Sequence, residues 1–75
     1  MTFEELGRGS AFHRVYPTSN GFKIAAASNS EECLQRFHDL VADAMAYAEG
    51  YEVQPHKSDM DPKGRYDFAE IRITD

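Results

Sequence analysis

Asp59-Met60-Asp61-Pro62-Lys63-Gly64, with Asp67 and Glu70 beyond it, is the stretch whose residue types come nearest to a ligand set. Counted from Asp59, carboxylates fall at positions 1, 3, 9 and 12 and a glycine at 6, the spacing of an EF-hand calcium loop. The match fails in three respects. Lys63 puts a cation where a ligand oxygen belongs, and Pro62 stiffens the loop beside it. The segment ahead, Tyr51 to Pro55, is no entering helix. Asp67 and Glu70 read as strand. A hairpin turn with ordinary acidic residues is the simpler reading, and no calcium is expected.

Other ligand chemistry is also thin. His13, His38 and His56 are spread over three segments, and Cys33 is the single thiol. Cys33 and His38 stand five apart, whereas ligands stacked on one helical face stand four apart. Cys33 falls in a first helical turn, where a dipole lowers a thiol pKa, but it also lies on the apolar edge of that helix. Asp39 and Asp43 form a carboxylate pair one turn apart. General acid–base catalysis needs such groups in a concave, partly dry site, and one helix on a small sheet leaves little room for one. No enzymatic activity, cofactor or metal is expected.

What the carboxylates do offer is a charged face. Glu32, Arg36, Asp39 and Asp43 run along one helical line, with His38, Glu49 and Glu52 nearby. Residues 33–52 hold one arginine against four acids, a net −3 within a total of −5. Like charges at Asp39 and Asp43 disfavour an isolated helix. A partner supplying cations would turn that repulsion into attraction.

The element carrying this face is legible. Apolar residues recur at Leu34, Phe37, Val41, Ala44, Met45 and Ala48, widened by Cys33 and Leu40. That is helical spacing over about five turns. Ser28 with Glu31, and Asn29 with Glu32, match a capping box, and Gly50 suits the left-handed residue past a helix end. The pattern predicts a helix over about residues 29–49.

Ahead of it, Phe12–Tyr16 and Phe22–Ala26 read as a hairpin, with Pro17-Thr18-Ser19-Asn20-Gly21 as the turn and Asn20-Gly21 supplying positive φ. Thr2 and Glu5 match another capping box. Residues 1–10 are then either one helical turn or a flexible lead-in broken at Gly7-Arg8-Gly9. After the helix, Tyr51–Gln54 alternates as a strand that Pro55 either ends or marks as a sheet edge. Asp61-Pro62-Lys63-Gly64 is a turn, and Arg65–Thr74 is the last strand. There Ala69, Ile71 and Ile73 share a face. Tyr66 and Phe68 fall in phase with Glu70 and Arg72 instead. Either a bulge near Phe68 switches the face, or two aromatics stand on the solvent side.

The order is β-β-α-β-β, an α+β two-layer domain over residues 1–75 with an antiparallel sheet of about four strands. Seventy-five residues without a disulfide lie near the lower limit for unaided folding. The acidic start, Met1-Thr2-Phe3-Glu4-Glu5, is unlike a signal peptide, and no run reaches transmembrane length. A cytoplasmic protein without membrane contact is expected. Thirteen acids against eight bases disfavour direct nucleic-acid binding, unless Arg8, Arg14, Lys23, Arg65 and Arg72 gather on one sheet face.

In its layout (a hairpin over Phe12–Ala26, a capped helix, closing strands to Thr74) the chain resembles the small acidic phage-encoded inhibitors of bacterial defence, the anti-CRISPR proteins. No motif is shared, so no residue role carries over by position. The resemblance implies a non-enzymatic inhibitor in the bacterial host cytoplasm. It would occupy a basic, nucleic-acid-handling surface of a protein or nucleoprotein complex such as a CRISPR effector. Asp39, Asp43, Glu49, Asp59 and Asp61 would then face lysines and arginines. Glu52 adds to the acids, and Tyr66 and Phe68, flanked by charge, could form an apolar interface core. The alternative function is an assembly subunit that homodimerises through a sheet edge near Pro55.

Overall fold

The computed structural model describes residues 2–74. Its elements are α1 (Phe3–Gly7), β1 (His13–Thr18), β2 (Gly21–Ala26), α2 (Glu31–Ala46), β3 (Tyr51–Lys57) and β4 (Tyr66–Ile73). The strands form one antiparallel sheet in the order β1-β2-β4-β3, two hairpins joined side by side through β2 and β4. The expected α+β, β-β-α-β-β arrangement is the observed one, with a short helix added in front.

Alternation along the strands decides the core. Phe22 and Ile24 on β2 and Ala69 and Ile71 on β4 are buried and lie opposite one another in the register. Phe37, Val41 and Ala44 of α2 close over them. Leu6 of α1 completes this cluster, and Phe3 packs on Phe22 with ring centroids 4.7 Å apart and the rings tilted at 45°. Both helices therefore cover the same face of the sheet. Among the described residues no element covers the other face.

Each end of α2 differs from the sequence expectation for a physical reason. The N-cap is Ser30, whose Oγ accepts from the Cys33 N–H at 3.2 Å. Ser28 instead accepts from the Ser30 N–H, and the Glu31 carboxylate is drawn away to Arg65, so the Ser28–Glu31 box does not form. At the other end the helix stops at Ala46. Residues 47–50 are needed to turn the chain so that Tyr51 can pair with Ile73, and Gly50 makes that turn at φ 77°. Met45 and Ala48, counted into the apolar stripe, are left exposed. The Thr2–Glu5 capping box at α1 is formed as expected.

The hairpin between β1 and β2 also departs from expectation. Thr18 pairs with Gly21 across Ser19 and Asn20, and neither Asn20 nor Gly21 has a positive φ. Gly21 is required for another reason. A Cβ there would stand 2.1 Å from the Ile71 carbonyl oxygen of β4. The missing side chain lets β2 and β4 close up.

Both outer strands carry a proline. Pro17 lies opposite Phe22 and Pro55 opposite Ala69, and each strand continues past its proline. Proline has no N–H, so at each point the sheet edge loses a donor. The Ser10 N–H also covers the outward His13 carbonyl at 3.1 Å. These are the devices that blunt an edge against pairing with a second chain.

His13 fastens α1 to this frame. It is 3% exposed, with Nε2 2.9 Å from the Leu6 carbonyl and Nδ1 2.7 Å from Ser10 Oγ. The carbonyl can only accept, so Nε2 carries the proton and Nδ1 accepts from the hydroxyl. His13→Ala removes both bonds and leaves the Leu6 carbonyl unpaired. It is expected to cost about 1–3 kcal/mol by chemical denaturation, with faster amide exchange in residues 3–7. Unchanged exchange there would show that α1 is held by its apolar contacts alone.

Candidate interaction surface

The loop from Ser58 to Arg65 is organised by one buried cation. The Arg65 side chain is 7% exposed and that of Asp61 is 2% exposed. Arg65 Nε donates to Asp61 Oδ2 at 2.8 Å and Nη2 to Asp61 Oδ1 at 3.2 Å. Nη1 and Nη2 reach Glu31 Oε1 and Oε2 at 2.8 and 2.9 Å, and Nη1 also reaches Gln35 Oε1 at 3.3 Å. All five guanidinium donors are thus used. Asp61 further accepts from the Lys63 and Arg65 backbone N–H groups. Lys63 Nζ pairs with Glu31 at 2.9 Å. The loop is thereby pinned to the first turn of α2.

The electrostatics follow from this geometry. Hydrogen bonds from Arg65 and then Lys63 hold the Glu31 carboxyl down at about 2. The Arg65 hydrogen bond holds Asp61 well below the usual carboxylate range. In return Glu31, then Asp61, push the Arg65 guanidinium up. Asp61 is therefore not a group facing lysines or arginines of another molecule, because its own chain neutralises and buries it. Arg65 is likewise withdrawn from any basic sheet face.

Tyr66 and Phe68 separate at a bulge. Phe68 pairs with His56 and Tyr66 with Lys57, so the register steps over Asp67. The extra residue turns Tyr66 to the helix side, where it stacks on His38 at 4.7 Å and its backbone N–H donates to His38 Nδ1 at 3.3 Å. Phe68 stays on the open face, stacked on His56 at 4.2 Å with ring planes 4° apart. Both aromatics are half-buried. They lie on opposite sides of the sheet and form no joint patch.

Glu52 also changes company. It faces Arg72 across β3 and β4 and accepts from its Nη2 at 3.3 Å, on the face away from α2. That face further carries Arg14, Tyr16, Lys23, Gln54 and Glu70, so acids and bases mix there. Arg8 lies at the end of α1 and Arg65 in the loop clamp. Of the five cations, Arg14, Lys23 and Arg72 thus share the open face, interleaved with Glu52 and Glu70, and Arg8 and Arg65 do not join them.

The acidic face itself is coherent and larger than α2 alone. Asp39 and Asp43 are exposed one turn apart, and Asp39 accepts from Gln35 Nε2 at 3.0 Å. Glu32 and Arg36 pair loosely at 3.9 Å upstream, and Glu49 is exposed just beyond the helix. α1 carries two further acids, Glu4 and Glu5, in its first turn. Glu5 and Asp43 both come near Tyr51, whose phenol is pushed up by burial and then by these two carboxylates. Residues 2–12 and 27–50, which make the helical layer and its flanks, hold seven acids against two arginines, one of the acids, Glu31, being matched by Lys63 and Arg65 of the loop. The four strands hold three acids against four cations.

The chain matches no protein-family model, no curated protein and no solved structure.

Cys33 and the three histidines have structural partners. Cys33 is buried and its Sγ donates to the Phe12 carbonyl at 3.4 Å. The three histidines stay apart, each with its own partner. In the loop, Asp59 is exposed and Asp61 is turned onto Arg65, while Asp67 and Glu70 belong to β4. Among the described residues no cluster of three or more histidines, cysteines or acids is placed to hold a metal ion. No described helix is long and apolar enough to cross a membrane.

Proposed function

We propose that this protein is a non-enzymatic binding protein whose acidic helical layer docks on a basic surface of another protein and excludes that surface's own ligand. The observation that carries the reading is the segregation of charge. Almost all of the excess negative charge lies on the two helices and their flanks, with Asp39, Asp43 and Glu49 exposed on one side. Opposite charge steers such a surface to its partner and sets the orientation of docking. Surfaces that handle nucleic acid are basic for the same electrostatic reason, so an acidic docking layer competes with phosphate. Inhibition of a nucleoprotein effector, as the layout-level resemblance to anti-CRISPR proteins implies, is the form this takes in a bacterial host. The edge-paired homodimer has Pro17 and Pro55 against it.

The test is capture from a bacterial lysate on the immobilised protein, compared with an Asp39→Lys/Asp43→Lys variant. Captured proteins should be basic nucleic-acid binders, released by added nucleic acid or by moderate salt and not retained by the variant. Capture of the same proteins by both forms would remove the helical layer as the docking surface.

A further inference from the structure

Between the 58–65 loop and the start of α2 lies an open groove of about 510 Å³. Leu34, Met60 and Pro62 give it apolar walls, and Asn29, Lys63 and Asp67 lie around them. Met60 is 91% exposed, the most exposed of the large apolar side chains described. A single exposed methionine on a loose loop would mean nothing. This loop is not loose. The Arg65 clamp, the Ser58 N–H to Arg65 carbonyl bond at 2.9 Å and the Gly64 N–H to Asp61 carbonyl bond at 2.9 Å fix it in place. The backbone that carries Met60 is therefore already ordered, so a partner that covers this side chain does not have to order the loop as well.

The carboxylates of the groove divide sharply. Glu31 and Asp61 are neutralised by Arg65 and Lys63. Asp67 is half-buried, lines the groove and has no ion pair among the described residues. It is also the residue at which the β3–β4 register slips, and a bulge is a common means of re-aiming a side chain. A partly desolvated carboxylate without a counter-ion, beside apolar walls, suits a cation attached to an apolar neighbour.

We infer that this groove receives an extended segment of the basic partner in which an apolar side chain stands next to a lysine or arginine. The apolar group lies against Leu34, Met60 and Pro62, and the cation pairs with Asp67. The inference rests on the proposed docking to a basic protein and adds a second, shape-selective contact to it. Met oxidation or truncation at position 60 would weaken the apolar half, and loss of charge at Asp67 the ionic half.

The experiment is a titration of the isotope-labelled protein with the blocked dipeptide acetyl-Leu-Arg-amide, followed by amide shifts. The expected result is saturable movement at Leu34, Met60 and Asp67 in the millimolar range. Binding should be about fivefold weaker in Asp67→Asn and reduced in Met60→Ala. The acetyl-Leu-Glu-amide control should give no response. The Asp67 and Met60 side chains make no hydrogen bond or ion pair among the described residues, and the Met60 N–H bond to Ser58 Oγ is backbone that the substitution keeps, so both variants should melt as the parent does. Absence of saturable shifts, shifts centred elsewhere, or equal affinity in Asp67→Asn would overturn the inference. Asp39→Lys/Asp43→Lys should bind the dipeptide normally. If that variant loses partner capture while the groove is silent in the parent, the groove alone is refuted and the acidic docking layer stands.

Discussion

Arg65→Met melts well below the parent protein at pH 7, and the difference shrinks as the pH is lowered. The substitution keeps an unbranched apolar stem and removes the guanidinium with its charge. Asp61 is then left 2% exposed with no guanidinium, still facing only backbone N–H groups. Removing one member of a buried pair is costlier than never having had the pair, since the remaining charge is neither solvated nor matched. Glu31 loses its bidentate partner and keeps Lys63. The pH dependence has a definite sign. Glu31 and Asp61 have folded-state values below their unfolded ones, so their stabilisation is present above about pH 4. It is lost as pH falls through that region toward 2, where Glu31 takes up its proton in the folded state. Thermal melts of both proteins at pH 7, 4 and 2 should therefore converge at the acid end. A gap that stays constant with pH would mean that Arg65 contributes by packing rather than by charge.

Gly21→Ala should be the most damaging single-methyl addition in the molecule. The new Cβ would meet a backbone oxygen, that of Ile71, at 2.1 Å, and no rotamer change can relieve a clash with backbone. The two central strands must part at the point where both hairpins are joined. Overpacking of this kind costs about 3 kcal/mol. In a domain of this size that is a fall in Tm of roughly 15 °C. Gly64→Ala is the contrast. There the φ of 65° strains an alanine, but nothing lies within 4 Å. A larger fall for Gly64 than for Gly21 would show that the β2–β4 seam is softer than its geometry implies.

These two residues mark what could and could not be read in the chain. The strands, the long helix and the antiparallel sheet follow from local periodicity and from turn and cap residues, and they were legible. So was the turn Asp61–Gly64, closed by the Gly64 N–H. The Arg65 clamp was not, because Glu31 and Arg65 stand 34 positions apart and no local pattern announces their meeting. The only hint was the four-residue spacing of Asp61 and Arg65. Gly21 was read as a turn glycine, whereas its reason lies on a strand 50 residues later. His13 alternates in phase with Val15 and Pro17, which places it on the covered face, but no local pattern shows that it bonds the Leu6 carbonyl. The assignment of Tyr66 and Phe68 was open for a good reason. A one-residue slip at Asp67 sends them to opposite faces, and such slips leave no signature in composition.

The acidic surface was partly legible. Asp39, Asp43 and Glu49 are exposed as expected. Glu52 left the group because strand alternation points it to the other side of the sheet. Asp61 left it because a neighbouring arginine claims it. Glu5 comes near Asp43 at Tyr51 through the docking of α1, a long-range packing event. The result is a layer with acids on both helices, Glu5 and Asp43 both near Tyr51, where an isolated helix would have offered a single line of charge.

The most direct measurement is the rate at which the protein associates with its captured partner as ionic strength is raised. With an acidic docking layer, association is fast at low salt and slows steeply as screening sets in. Asp39→Lys/Asp43→Lys should associate about tenfold more slowly at low salt, with a much flatter salt dependence. Asp43→Asn alone reports any effect that passes through Tyr51. Equal association rates and equal salt slopes for the double variant and the parent would contradict the account.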